Sequence, residues 1–335
     1  MLNYTVRRLA QLLLVVAALS VLLFAWLRSL PGGPVSALLG DRATAETRRQ
    51  LEIALGLDQP IYVQYVRFLG RAVTGDFGVS TGVQPGDTAL SIFVQRFPAT
   101  VELAILALLL AVAAGIPLGY LAARRRGGWL DNAGVAGSLV GVAVPVFFLA
   151  FLLKFAFAVQ LGWLPTSGRQ TAGIDATRVT GFFVLDGMLT REWDAAGDAL
   201  QHLVLPALAL SSIPFAVVFR ITRGAVLDVL DEDYVRTAYA KGLTDRVIRG
   251  RHVLRNAMLP VVTTIGLQTG ALLSGAVLTE RVFALQGVGQ ALARGFELRD
   301  YAVLQIVIIA AAIVYVFVNL LVDLSYAVID PRVRT

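Results

Sequence analysis

Six runs of about twenty apolar residues, near 9–27, 99–123, 133–159, 202–222, 257–279 and 301–325, decide what this chain can fold into. A helix rises 1.5 Å per residue, so each run is long enough to cross a bilayer core of about 30 Å. With 57% hydrophobic and 16% charged residues, and a mean hydropathy of +0.72, the 335-residue chain falls outside the soluble globular class. The expectation is an all-α polytopic membrane protein. The first run follows Arg7 and Arg8 and is interrupted only by Gln11 and Ser20. It ends in Phe24-Ala25-Trp26-Leu27-Arg28 rather than in the small-x-small site of a signal peptide, so it reads as a retained span.

Charge orients the runs. Arg124-Arg125-Arg126, the eight Lys and Arg from Arg220 to Arg255, and Arg332 with Arg334 all fall on the side of Arg7 and Arg8. The positive-inside rule then puts both termini in the cytoplasm, against a weaker counter-signal from Arg281, Arg294 and Arg299. The same bias accounts for the net charge of +6 and pI of 9.9 without nucleic acid. Cysteine is absent, which excludes disulfides and thiolate chemistry.

Between the first two runs lies an insert expected outside the membrane. In it, residues 43–57 are patterned as a short amphipathic helix ended by Gly56, and Gln59-Pro60 and Gly75-Asp76-Phe77-Gly78 read as turns. The domains expected are 1–28, tail and first span; 29–98, extracytoplasmic region; 99–325, a five-helix core containing a cytoplasmic segment 223–256; and 326–335, cytoplasmic tail. Gly115, Pro117, Pro145, Pro206, Pro214 and Pro260 punctuate the spans, and irregular helix is tolerated in a bilayer only where protein or a cavity satisfies the freed backbone groups. Gly137 with Gly141, and Gly266 with Gly270 and Ser274, have the spacing of close helix packing. Pro145 and Gln268 are candidates for a substrate pathway, as is Glu102, whose place near the outer end of its span also suits a structural role. Lys154 is near enough to a span end to snorkel, and Asn319 with Asp323 reads as packing. His202 and His252 fall on opposite sides of the membrane, so they do not form a metal pair.

Residues 233–256, DYVRTAYAKGLTDRVIRGRHVLRN, are polar and basic between two spans. Val235, Ala238 and Tyr239 recur at helical spacing, as do Leu243, Val247 and Leu254. Gly242 is suited to end one helix and Thr244-Asp245 to start the next, giving a helix-turn-helix in the cytoplasm. Its arginines fit anionic lipid, but Asp228, Asp231, Glu232 and Asp233 beside them would be repelled by it. A protein groove suits the mixed face better.

The stretch resembles the EAA loop of permease subunits in ATP-binding-cassette importers, whose form is E-A-A-x-x-x-G followed by I-x-L-P. Arg236-Thr237-Ala238 stands where E-A-A would, with Gly242 at the required spacing, and His252-Val253-Leu254-Arg255 stands where I-x-L-P would. These departures, with Thr237 to Leu243 and Arg251 to Ala257, look like the dipeptide and oligopeptide branch. So do Leu57-Asp58-Gln59-Pro60 with Gln64-Tyr65, Gly75 to Ser80, Phe97-Pro98-Ala99-Thr100 with Glu102, Leu161 to Pro165, and Asp330-Pro331-Arg332.

The resemblance implies the six-helix type I importer permease fold with an extracytoplasmic insert after helix 1, in a bacterial inner membrane. It implies a second homologous permease, one or two ATPase subunits binding ATP and Mg, and an extracytoplasmic binding protein as partners, along with membrane lipid. No cofactor is expected on the chain itself. Tyr234, Arg236, Thr237, Ala238, Gly242, Leu243, Arg246, Val247 and Arg249 would couple to an ATPase. Lysine occurs only as Lys154 and Lys241, preceded by Leu153 and Ala240, so no Gly-Lys-Ser/Thr phosphate loop exists and hydrolysis must come from partners. The cargo implied is di- or oligopeptide, with nickel chelates, glutathione or oligosaccharides carried by related importers. A gradient-driven secondary transporter would carry more mid-span acids, and a membrane hydrolase would need a catalytic constellation at span depth.

Overall fold

The computed structural model describes residues 2–29, 35, 44–54 and 56–329. Pro31 to Pro34, Asp330-Pro331-Arg332 and the side chain of Asp323 lie outside the described residues. The helices in order are α1 Leu2–Ser29, α2 Ala45–Ala54, α3 Ile61–Val73, α4 Ala89–Arg124, α5 Trp129–Ala143 and α6 Val146–Leu153, which a π-turn Lys154–Gln160 continues. Then come α7 Phe183–Leu189, α8 Trp193–Leu230, α9 Asp233–Ala240 and α10 Asp245–Val247. A second π-turn, Ile248–Leu254, joins α10 to α11 Arg255–Phe283, and α12 Val288–Glu297 and α13 Tyr301–Ile329 complete the order.

Among the described residues α4, α8 and Tyr301–Leu320 are long and apolar enough to cross a membrane. The number becomes five if Trp129–Ala143 with Val146–Gln160, and Asp245–Leu272 with Ala276–Phe283, each make one bent span. Leu13–Ser29 is a shorter apolar helix. Residues 133–159, expected as one span punctuated by Pro145, are two helices meeting at 104°. The cause is local: the residue before a proline is pushed out of the helical region, and Val144, at φ −80° and ψ 122°, is extended ahead of Pro145. Proline is well tolerated at a helix start, and Pro145 caps α6.

Two compact units divide the chain, Met1–Ala99 with Gln286–Phe317, and Thr100–Leu285 with Val318–Thr335. In the first, Ala89 and Ile92 pack with Val288, Ala291, Val303 and Ile306, so α4 begins ten residues before its apolar run, at Ala89 rather than 99. Gly56, at φ +66°, follows α2 as expected. Asp300 serves two structures at once. Its Oδ1 accepts from the amide of Val303, capping α13, while Oδ2 accepts from Ser80 Oγ and from the amides of Gly82 and Val83.

In the second unit α8 is the central helix, packed against α5, α6, α7 and α11. The most apolar stretch of α8 is 67% buried, against 28% for that of α4, whose Leu109 and Leu118 face outward as a lipid-facing helix requires. Small residues let neighbours approach Phe219, itself 1% exposed: a Cβ on Gly119 would lie 2.6 Å from the Phe219 carbonyl, and one on Gly134 2.5 Å from its ring. Of the glycines singled out by spacing, Gly141 is in ordinary contact with Ser212, whereas nothing lies near Gly137.

Gly119→Val should therefore force α4 away from α8 and lower the thermal midpoint of the detergent-solubilised protein. The expected loss is about 1–3 kcal/mol, the usual cost of overpacking. A variant melting with wild type would show that this contact does not set the spacing.

Candidate functional site

The segment expected to couple builds from its turns. Helix α8 ends at Leu230, Glu232 is extended at φ −71° and ψ 141°, and α9 begins at Asp233. After α9, Gly242 takes φ +73°. Its amide bonds to the Tyr239 carbonyl at 3.0 Å and the Leu243 amide to the Ala238 carbonyl at 3.2 Å, the paired bonds of a Schellman turn. Thr244 has the extended backbone of an N-cap but no side-chain cap bond, and its carbonyl accepts from the amides of Val247 and Ile248. The second helix then runs through the π-turn into α11, so it is the foot of a long helix rather than a separate short one.

One face of this segment is sealed. Val235, Ala238, Ile248 and Val253 are buried with Ala123 of α4, Val226 of α8 and Ala257 of α11. Ala238, expected to touch a partner, points into this cluster and is 6% exposed. The opposite face presents Tyr234, Tyr239, Leu243 and Val247, each between 40% and 49% exposed. Arg236, Thr237 and Arg246 are exposed around them, and Arg249 is half-buried. Arg236 pairs with Asp233 at 3.6 Å and Arg249 with Asp245. Solvent-exposed pairs of this kind contribute little to stability. Tyr234 Oη accepts from Asn256 Nδ2 at 2.8 Å, fastening α9 to the start of α11.

Beside this cluster Arg223 of α8 grips Asp131 of α5, Nε to Oδ1 at 2.5 Å and Nη2 to Oδ2 at 2.8 Å. The Gly127 amide adds a third bond to Asp131, at 2.9 Å. Bidentate charge-assisted pairs are the strongest of their class, and this one fixes the turn between α4 and α5 to α8.

The candidate pathway residues separate. Pro145 is exposed at the α5–α6 bend and Gln268 is half-buried in α11. Glu102 belongs to another structure. Its Oε2 receives Arg169 Nη2 at 2.9 Å and its Oε1 the Val184 amide at 2.9 Å, so its carboxylate is committed to the chain's own 161–192 segment. Arg169 also lies 3.6 Å from the centroid of the Phe183 ring and donates to the Gly181 carbonyl. Burial lowers the pKa of Arg169 against the opposing pull of Glu102.

That segment has little regular structure, and carboxylates serve its backbone. Asp186 accepts from the amides of Thr180 and Gly181 and from Thr180 Oγ1, while Asp198 accepts from the amide and hydroxyl of Thr171. Burial pushes the Asp186 carboxyl up, but the bonds from Thr180 and Gly181 prevail and hold it below the usual carboxylate range. His202 is buried with Nδ1 on the Asp198 carbonyl. Lys154, expected to snorkel, donates Nζ to the Val282 carbonyl at 2.8 Å, and the Gly168 amide bonds to the Phe283 carbonyl at 2.9 Å. Both satisfy open carbonyls at the end of α11, where a cation also complements the helix dipole.

The fold has known counterparts. A solved structure of the MetNI methionine ABC transporter, in inward-facing form, includes a chain that superposes with a TM-score of 0.55 at 14% identity, covering 72% of this chain and 97% of that one. The architecture is that of a type I ABC importer permease. Residues 115–335 match the binding-protein-dependent transport system inner membrane component, and residues 1–104 match its N-terminal counterpart. The chain belongs to this family of transport permeases. Along its whole length it is 38% identical to the dipeptide transport system permease protein DppB of Alkalihalophilus pseudofirmus, over 334 residues and 100% of both chains. It is 41% identical to the di/tripeptide transport system permease protein DppB of Pseudomonas aeruginosa, over 100% of this chain and 99% of that one. The dipeptide transport system permease protein DppB of Escherichia coli K12 is likewise 41% identical, over 100% of this chain and 99% of its own.

The chain is thus a multi-pass inner-membrane subunit of an ABC importer, working with ATPase and substrate-binding proteins. It carries no ATPase site, and ATP is hydrolysed by the partner ATPases.

Glu102→Gln should leave the Arg169 guanidinium buried without its counter-charge, at a cost of about 3 kcal/mol. Hydrogen exchange should rise across residues 168–184, with α8 unaffected. Unchanged protection there would remove Glu102 from that role.

Proposed function

We propose that this chain forms one half of the translocation pathway of a di- or oligopeptide importer, and that residues 233–256 transmit ATPase closure to it. Peptide cargo is supported by the full-length relatives named for dipeptide and di/tripeptide transport. In this assembly a second homologous permease completes the pathway, and one or two ATPase subunits bind ATP with Mg. A binding protein delivers substrate from outside, and both termini of the chain lie in the cytoplasm.

The observation that carries the coupling role is the two-sided segment, with one face sealed and the other exposed. Tyr234, Leu243 and Val247 would enter a cleft of the ATPase, with Arg236, Thr237, Arg246 and Arg249 at its rim. Ala238 acts from the other side as the fulcrum. Because Val235, Ala238, Ile248 and Val253 are close-packed on Val226 and Ala257, a push on the segment passes to α8 and α11 together. A packed core shifts as a body rather than deforming continuously. Gly242 holds the angle, in a conformation that costs an L-residue about 1–2 kcal/mol.

Gly242→Val should strain the turn and uncouple the two activities. In reconstituted vesicles with the partner subunits, uptake of labelled dipeptide is expected to fall at least about tenfold while ATP hydrolysis continues. Undiminished uptake would overturn the lever role.

Topology is checked by reporter fusions. A reporter after Gly86 should be active outside the membrane and one after Gly250 inside. The reverse pattern would invert the chain.

A further inference from the structure

Arg28 and Arg71 line one cavity of about 290 Å³, within the unit formed by residues 1–99 and 286–317. Arg28 stands in the last turn of α1 and Arg71 in the last turn of α3. The walls include Phe24, Leu27, Phe68 and Phe77. Arg28 is half-buried, its guanidinium 5.1 Å from the centre of the Phe24 ring. Among the described residues neither arginine has an acidic partner. Asp300 also lines the cavity, but its two oxygens already receive Ser80, Gly82, Val83 and Val303.

Two like charges on one cavity repel each other, and the half-buried Arg28 also loses hydration, unless an anion sits between them. The walls favour an anion that carries its own apolar part. The level of the cavity identifies the source. Below Arg28 on α1, Leu13, Leu14 and Leu22 are exposed apolar side chains, which suit contact with acyl chains. Trp26 stacks edge-on with Phe296 at 5.5 Å, and tryptophan concentrates at the boundary between acyl chains and head groups.

We propose that this cavity binds the head group of an anionic phospholipid, with Arg28 and Arg71 on the phosphate and the aromatic wall against the glycerol and upper acyl chain. Guanidinium matches phosphate bidentately, which an ammonium cannot do. The bound lipid would act as a structural ligand joining the ends of α1 and α3 to the start of α13.

The test uses the full chain purified with its partner subunits, titrated with phosphatidylglycerol or phosphatidylcholine and examined by native mass spectrometry. Wild type should retain one phosphatidylglycerol per chain through conditions that strip phosphatidylcholine. Arg28→Gln with Arg71→Gln should need about tenfold more phosphatidylglycerol for the same occupancy, and Arg28→Lys with Arg71→Lys should fall between. Melting in pure phosphatidylcholine at or above the wild-type temperature would show that the Gln variant is folded. Arg71→Gln alone, at an exposed position, gives a second reading and should weaken retention in the same direction. Equal retention by wild type and both Gln variants would overturn the proposal. So would displacement of the lipid by inorganic phosphate at matching concentration, which would make this a site for the free anion.

Discussion

Hydrocarbon offers a peptide group nothing to bond with, and most of this structure follows from that constraint. It makes the apolar runs helical and leaves their ends as the points where polar groups must be supplied. The end of α11 receives a lysine amine and a loop amide, the start of α13 a carboxylate, and the turn before α5 an aspartate shared with an arginine. The same need explains why Glu102, Asp186 and Asp198 all bond backbone amides in or beside the least regular part of the chain. Charges that look functional in a greasy sequence are here largely answers to open backbone groups.

Within the larger unit, packing ties several helices into one body. Glycines bring α4 and α5 against Phe219 of α8, the Arg223–Asp131 pair ties α5 to the same helix, and the cluster around Ala238 joins the segment after α8 to the foot of α11. No step in this series is a loose surface contact. A segment held this way has little freedom to absorb a displacement, which is what a lever between an ATPase and a pathway requires.

The sequence made the membrane class, the runs, the turn at Gly242 and the family resemblance legible, because each is a local or periodic signal. Periodicity marked the segment as amphipathic without saying which side would be buried. Val235 and Ala238 face in while Tyr239 faces out, a choice made by Val226 and Ala257 on other helices. Pairings across long separations were illegible for the same reason. Arg223 meets Asp131 92 residues away, and Glu102 meets residues 67 and 82 positions on. Pro145 was visible as punctuation, but punctuation alone does not give the 104° at which α5 and α6 meet.

The amines of this chain are sparse enough to matter to anyone wishing to watch it move. Of the two lysines, Lys154 spends its ammonium on the Val282 carbonyl, while Lys241 stands exposed one residue before the turn at Gly242. Apart from the chain's own amino terminus, an acylating dye would therefore find its most open target in the segment proposed to couple. The molecule carries a spectroscopic handle where its motion would be most informative, with no engineered residue required.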